Sequence, residues 1–600
     1  MNFENRKYVI IFMVFSVFVI FTIRLLYMQT VDDSWKTRST RITEKAVVLK
    51  PPRGLIYDRN GELLVANQAI YDLMVVPNEI KNLDTAALCS LLDITKEEFI
   101  ERINTIKKGS WRKPREFLGQ IKPQDYARLS EKLHEFEGFF GQPSTMRLYP
   151  NSIAPLLSGM VGKVSQRALD KDPYYDPLDY MGLEGIERSY EKHLRGKKGI
   201  RYFFRDNRGT LKEVAEGRLD SSAISGSDII STIDSELQAY GEKLMKNKTG
   251  CVIAIEPKTG EILAFVSAPD YDPNLLVGRK RGENYNMLLK DSLRPLYNRG
   301  VQGMYRPGSI WKMVQALIAL QDGIIVPSTR ISCNRSIIGC HGPHSFDDLS
   351  GAVHHSCNPY FREVMKRMVE RKQESSRFKD AAIGLDDWKK KIQAFGFGSN
   401  LGTDIPSTKT GQVPGKAYYD KIYGEYRWAF STIYSIAIGE GELLITPLQM
   451  ANLAATIANR GWYIAPHTVR KIGNQGKLPE YLVKHRTGVD SKHFDVVVDA
   501  MQKVVEVDGG TARRARIPNI EVCGKTGTVQ NGDLEDHSVF IAFAPKEDPQ
   551  IAIAVYVEYA GSGGTWAAPI SSLMIESYLT DSISSPKKEE RILNADFFNK

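Results

Sequence analysis

Six hundred residues exceed what one compact domain usually holds and leave room for several, each with its own core. Hydrophobic residues make up 42% and charged residues 25%, a balance that excludes extended disorder and a polytopic membrane protein. The net charge of +9 is a small difference between 80 basic and 71 acidic residues spread along the chain, so it gives no sign of nucleic acid and suits an acidic surface such as a membrane or an envelope polymer.

The informative extreme lies at the start. Residues 8–28, YVIIFMVFSVFVIFTIRLLYM, carry a single charge, Arg24, near one end. At about 1.5 Å per residue, a helix of that length spans a bilayer core of roughly 30 Å. A cleaved signal peptide would have a shorter apolar stretch ending in small residues, whereas LLYMQTVDDSW follows here, so an uncleaved anchor is expected. Arg6 and Lys7 precede the span and Asp32 and Asp33 follow it, which keeps residues 1–7 in the cytoplasm and places everything after residue 30 outside. Chemistry there lies beyond the ATP pool and must run on energy already stored in the substrate.

Next, PPRGLIYDRNGELLVAN sets two apolar runs around Asp58-Arg59-Asn60-Gly61, a hairpin signal because the favoured turn needs positive φ at both Asn60 and Gly61. Residues 80–140 are richer in helix formers, with helical periodicity in LSEKLHEFEGFF, and residues 29–225 read as a mixed α+β pedestal with few catalytic clusters. Near residue 220 the texture changes. STIDSELQAYGEKLMKN predicts a helix capped by Asp234, and CVIAIEPKTGEILAFVSAP predicts two buried strands joined by the turn Lys258-Thr259-Gly260-Glu261. A mostly helical stretch runs from about 309 to 470, and NIEVCGKTGTVQ and HSVFIAFAPKEDPQIAIAVYVEY supply three more strands. Strands at both ends with helices between predict a multidomain α/β chain whose residues 226–583 form a domain with a central sheet completed by its last strands. The tail, SSPKKEERILNADFFNK, residues 584–600, is charged and is expected to be loose.

Six cysteines are too few for a disulfide scaffold, although Cys333 and Cys340 can pair in an oxidising compartment. The same neighbourhood, CNRSIIGCHGPH, offers Cys333, Cys340, His341 and His344 as metal ligands, but the spacing matches no strong zinc pattern and no metal is expected.

Short patterns recur by chance and only their setting separates them. Ser-x-x-Lys occurs at Ser309/Lys312 and also at Ser110/Lys113, Ser189/Lys192, Ser376/Lys379, Ser584/Lys587 and Ser585/Lys588. Lys-Thr-Gly occurs at Lys258, Lys409 and Lys525, and Ser-x-Asn at Ser332/Asn334 and Ser356/Asn358. Gly524-Lys525-Thr526 lacks the glycine that a phosphate-binding loop needs five residues earlier, because position 519 is Asn, so no ATPase is indicated. Neither Gly-x-Ser-x-Gly nor His-Glu-x-x-His is present.

Ser309 has the best setting of its group, with Pro307-Gly308 before it and the apolar helix MVQALIAL after Lys312. Residues three apart share a helix face, which brings the Lys312 amine beside the Ser309 hydroxyl. A lysine removes a serine proton only when neutral, and burial near a second cation, for which Lys525 is the candidate, favours neutrality. Ser356 and Asn358, opening a helix in HHSCNPYFREVMKRM, supply a hydroxyl and an amide to relay a proton and hold a substrate amide. The amides of Ser309, at a helix start, and Thr528, on a strand, are suited to a developing oxyanion. Gly527, lacking a side chain, is expected to let an extended peptide pair with the strand.

In this order, Ser309-Ile310-Trp311-Lys312, Ser356-Cys357-Asn358 and Lys525-Thr526-Gly527-Thr528 resemble the three motifs of penicillin-binding proteins and serine β-lactamases. PPRGLIYDRNGELLVAN and GLEGIERSYEKHLRGKKG resemble the N-terminal module of class B penicillin-binding proteins, and IGEGELLITPLQMANLAATIANRG resembles part of their transpeptidase domain. PLYNRGVQGMYRPGSIWK is closer to the elongation-type branch, penicillin-binding protein 2, than to the division type, although Arg306 and Trp311 are unusual choices.

The resemblance implies a serine β-lactamase-like domain, an antiparallel sheet with helices on both sides, on a dimerisation-like pedestal. It implies D,D-transpeptidation of peptidoglycan stem peptides, with Ser309 as nucleophile, Lys312 as base, Ser356 as proton relay, Asn358 and Lys525 completing the catalytic set, and Thr526, Gly527 and Thr528 binding substrate. No cofactor is implied. The partners it implies are stem peptides, penicillin and other β-lactams, a membrane glycan polymerase of the SEDS (RodA) type and elongation scaffold proteins, on the outer side of a bacterial plasma membrane. Rival readings are a division-type enzyme, a D,D-carboxypeptidase, a β-lactamase and a β-lactam-sensing receptor. A tail of seven cytoplasmic residues leaves no room for a receptor's effector domain, and a β-lactamase needs no pedestal of this size.

Overall fold

The apolar run at the start forms one helix, Phe3–Thr30. The most apolar 18 residues within its Arg6–Thr30 stretch have a mean hydropathy of 2.8, and this is, among the described residues, the one helix long and apolar enough to cross a membrane. The structure is a computed structural model that describes residues 3–30, 44–81, 83–108, 114–205, 211–213 and 220–598. Asp32, Asp33, Ser110 and Lys113 lie outside the described residues.

The chain folds as two units. One, residues 1–53 and 195–226, contains the long helix and an antiparallel sheet in the order Glu44–Leu49, Gly199–Arg205, Leu211–Glu213. The other comprises residues 54–194 and 227–600. Residues 54–194 therefore join the C-terminal segment rather than forming one body with the rest of 29–225. The reason is a shared core. Ile56, Val65, Ile186 and Leu194 pack in the same apolar cluster as Ile229 and Val252, and Ile56–Tyr57 pairs in parallel with Ile229–Ser231.

The hairpin predicted at Asp58–Gly61 joins Ile56–Tyr57 to Leu63–Val75, but only Gly61 has positive φ. The buried Asp58 carboxylate shapes the turn instead, accepting from the amides of Asn60 at 2.8 Å and Glu62 at 2.7 Å. LSEKLHEFEGFF is helical only in part: the helix Pro123–Lys132 gives way to a 3₁₀ turn, and Phe139 already begins the strand Phe139–Leu148, which pairs along Leu63–Val75. In this region Arg147 Nε donates to the Glu187 carboxylate at 2.7 Å, with both side chains almost wholly buried. Glu187→Ala leaves a guanidinium buried without its carboxylate and is expected to destabilise the protein by about 3–5 kcal/mol, read as a lower unfolding temperature. Glu187→Gln, which keeps an acceptor, should lose less.

The C-terminal segment builds on five strands, β1 Gly250–Ile255, β2 Ile262–Ala268, β3 Cys523–Val529, β4 His537–Ala544 and β5 Ile551–Val557. Their order is β2-β1-β5-β4-β3 and every pairing is antiparallel. Successive strand residues point to opposite faces, yet β1, β2 and β5 are buried at every position, so both faces are covered. The cover comes from helices α1 Ser235–Met245, α4 Pro447–Ala458, α5 Ser491–Glu506 and α6 Ala567–Thr580, while α2 Lys312–Gln321 packs on α3 Asn358–Val369 and on α5. Helices α1 and α6 pack on each other and on the sheet, α4 lies on β1, β4 and β5, and α5 lies on β3. As predicted, Asp234 caps α1, accepting from the Leu237 amide at 3.0 Å. Helix α4 is buried at all its positions, and a Thr446/Gln449 capping box fixes where it starts.

The tail is not loose. Pro586–Leu593 is a helix whose Ile592 enters the core, and Lys588 Nζ donates to Ser572 Oγ at 3.1 Å. The fully buried Lys248 needs carbonyl acceptors and finds one in Ala595 at 3.1 Å, which ties down the residues beyond the helix.

Candidate active site

The stretch RPGSIWKM folds as a 3₁₀ turn, Gly308–Trp311, running directly into α2 at Lys312. Gly308 has φ +59, and a Cβ there would lie 3.0 Å from the Thr528 carbonyl oxygen, so glycine is required both by the backbone conformation and by the approach to β3. In the turn Ile310 and Trp311 are fully buried and Ser309 is partly exposed. Residues three apart eclipse one another in a 3₁₀ turn, which sets Ser309 and Lys312 on one side. The unusual Trp311 is an anchor: its ring packs edge-on against Phe397 at 5.0 Å and Trp388 at 6.1 Å.

Ser356 lies between the short helix Leu349–His354 and α3. Its backbone is left-handed, with φ +58, a conformation a non-glycine residue holds only when its surroundings impose it. The Cys357 amide bonding to Ala352 O at 2.9 Å fixes the reversal, and Asn358 opens α3 with Pro359 behind it. Across this joint comes Lys312, whose Nζ donates to Ser356 O at 2.7 Å, Ser356 Oγ at 3.2 Å and Asn358 Oδ1 at 2.6 Å.

Strand β3 is paired on one side only, with β4, and delivers Lys525, whose Nζ donates to Ser356 Oγ at 2.9 Å and to Thr526 O at 3.0 Å. The three motifs thus meet at the Ser356 hydroxyl. Thr526 Oγ1 lies 2.7 Å from Thr511 Oγ1, a partner that no spacing in the sequence signals. Thr528 is the exposed residue of the strand. A Cβ at Gly527 would lie 3.0 Å from the Pro307 carbonyl oxygen, 3.3 Å from Val539 and 3.4 Å from Ile310, so the missing side chain makes room for the Ser309 turn and for β4.

Both lysines are fully buried. Burial pushes the Lys312 amine down to about 7. It pushes Lys525 well below its ordinary range, and the nearby Lys312 charge pushes in the same direction. The sequence predicts that Lys525 stays charged and keeps Lys312 neutral. In the structure desolvation leads for both, and like charge adds only to the push on Lys525.

Beside this cluster Cys333, Cys340, His344 and Cys357 bring their Sγ and ring nitrogen atoms within 4.8 Å of one another. All six cysteines are free, so Cys333 and Cys340 do not pair. Among the expected metal candidates His341 is not in this group. Cys357 replaces it, from the middle of the Ser-x-Asn motif, a ligand that linear spacing hides because the helix Leu349–His354 intervenes. Three thiols and an imidazole suit a soft tetrahedral cation such as zinc.

Two desolvated amines thus converge on one hydroxyl beside a sheet-edge strand, and the chain belongs to the penicillin-binding protein transpeptidase family. The model of that family, "Penicillin binding protein transpeptidase domain", matches residues 250–576, over half of the chain, and a "Penicillin-binding Protein dimerisation domain" matches residues 48–231. Similar relatives include the peptidoglycan D,D-transpeptidase MrdA of Acinetobacter baumannii, 29% identical over 97% of this chain and 89% of that protein. That of Haemophilus influenzae is 29% identical over 95% of this chain and 90% of its own. Among solved structures, the Helicobacter pylori complex between penicillin-binding protein PBP2 and MreC superposes with a TM-score of 0.75 at 26% identity, covering 89% of this chain and 100% of that one. Pseudomonas aeruginosa PBP2 in complex with WCK 5153 gives 0.66 at 26% identity, covering 90% and 97%.

Proposed function

We propose that this chain is a peptidoglycan D,D-transpeptidase of the elongation type that works through a Ser309 acyl-enzyme. The observation that carries the reading is the convergence of two buried amines, Lys312 and Lys525, on the Ser356 hydroxyl from segments up to 169 positions away. Neutral Lys312 takes the Ser309 Oγ proton as Oγ attacks the penultimate D-Ala carbonyl of a stem peptide. The amides of Ser309 and Thr528 receive the oxyanion, and the bond to the terminal D-Ala breaks as Ser356 passes a proton to the leaving amine. An amine from a neighbouring stem then attacks the ester, surrenders its proton along the same route and frees Ser309. The terminal carboxylate belongs beside Lys525, Thr526 and Thr528, where its charge favours the ammonium form of Lys525. Penicillin, an acylating amide of similar shape, stops at the ester.

With lipid-linked substrate and a glycan polymerase supplied, the full chain is expected to make crosslinked dimers. Monomeric tetrapeptide as the only product would make it a carboxypeptidase. The apolar helix Arg6–Thr30, with Arg6 and Lys7 at its start, supports a single-pass plasma-membrane protein with its bulk outside. A SEDS-type polymerase and scaffold proteins are its proposed partners, a reading supported by the MreC complex of the H. pylori relative.

Cys333, Cys340, Cys357 and His344 are the residues that would hold zinc. The ion would supply no chemistry to the acyl transfer: it would pin the 333–344 loop to Cys357 and hence fix Ser356 and Asn358. Metal analysis of the purified chain is expected to find about one zinc per chain, falling when Cys340 and His344 are both replaced by alanine. A metal-free wild type removes this assignment.

A further inference from the structure

The segment Gly439–Ile445 runs alongside the approach to the nucleophile turn. Tyr305 and Ile445 exchange backbone hydrogen bonds of 2.9 and 2.8 Å, and the Gly308 amide donates to Gly439 O at 2.9 Å. From the middle of this contact two side chains reach the far end of β3. Arg306 Nη1 donates to Gln530 O at 3.3 Å, Glu440 Oε1 accepts from the Gln530 amide at 3.4 Å, and Glu440 Oε2 lies 3.7 Å from Arg306 Nη1. Gln530 is two residues beyond Thr528, and Arg306 three before Ser309. The acyl-transfer reading gives no role to either side chain, and packing does not account for Arg306, whose side chain is 44% exposed.

We propose that Arg306 and Glu440 form a clamp that sets the spacing of the oxyanion hole by holding the Ser309 turn and the Thr528 end of β3 to a common bracket. The two are positioning residues, acting through the backbone amides of Ser309 and Thr528, and the proposal rests on the assignment of those amides made above. Hydrogen-bond donors to an oxyanion act only at the right distance, so loosening one side of the hole penalises the acylation step and leaves earlier binding intact. Burial pushes the Glu440 carboxyl up to about 7 against the pull of the Gln530 amide and Arg306, with Asp536 adding to the push. An oxygen that accepts from Gln530 is therefore the constant part of the clamp, whichever form the carboxyl takes.

The test separates pre-covalent affinity from the acylation rate constant, using the full-length protein in detergent and a fluorescent penicillin, with rates normalised to the fraction labelled at completion. Glu440→Ala is expected to lower the acylation rate constant by about 10-fold to 100-fold while affinity stays within about threefold. Glu440→Gln, which retains the accepting oxygen, should stay within about threefold of wild type. Adding Arg306→Ala to Glu440→Ala should slow the reaction no further, as expected for two parts of one device. An unchanged rate constant in Glu440→Ala, a loss confined to the labelled fraction, additive effects or a Glu440→Gln as slow as Glu440→Ala overturns the clamp. Failure of the wild type to label at Ser309 would overturn the acyl-enzyme reading instead.

Discussion

Ser309→Ala is expected to abolish covalent labelling of the full-length chain by a fluorescent penicillin, while wild type labels stoichiometrically. The effect should be complete because the proposed acyl bond forms on the Ser309 oxygen and the neighbouring hydroxyl, Ser356, is held by both amines. Ser356 already accepts from Lys525 at 2.9 Å and Lys312 at 3.2 Å, and its left-handed backbone ties it to the joint before α3. The substitution removes one partly exposed oxygen and leaves Ile310 and Trp311 packed, so the unfolding temperature should not move. Labelling that survives in Ser309→Ala, at whatever residue, refutes the nucleophile assignment.

Lys312→Ala is the second large effect. It is expected to slow acylation by about 100-fold to 10,000-fold, the usual reach of a positioned general base. The pH profile carries the sign. The reactive amine is the unprotonated one, burial pushes its pKa down to about 7, and acid below that value protonates it. The wild-type acylation rate constant should therefore climb as pH rises through about 7 and level off above. Lys312→Ala should lose that rise. A wild-type rate that is flat across neutral pH would take the role of base away from Lys312.

How much of this is legible in the chain differs from element to element. Buried strands read easily, because β1, β2 and β5 are continuous apolar runs, and Asp234 announces its helix through capping chemistry that needs no tertiary context. Ser309 and Lys312 are legible because three residues of local structure join them. Lys525 meets Ser356 only through the packing of β3 against the turn, so its role is readable as an ordered motif and not as a distance. Gly527 shows the limit. Its sequence neighbours say that a side chain is missing, but only the fold says that Pro307, Val539 and Ile310 stand where a Cβ would go. Thr511, Glu440 and Cys357 escape because each meets its partner through a contact distant in sequence, and the tail misleads because its charge hides Ile592, Leu593 and Phe597, which dock on the core.

The two desolvated amines have a consequence for ligand choice. A resting site that withholds water from both nitrogens sits poised to accept a counter-ion, so an acid should gain more on arrival than its uncharged ester or amide counterpart of equal size. A preference for molecules ending in a free carboxylate is then expected to follow from the burial of Lys312 and Lys525, before any hydroxyl takes hold of them.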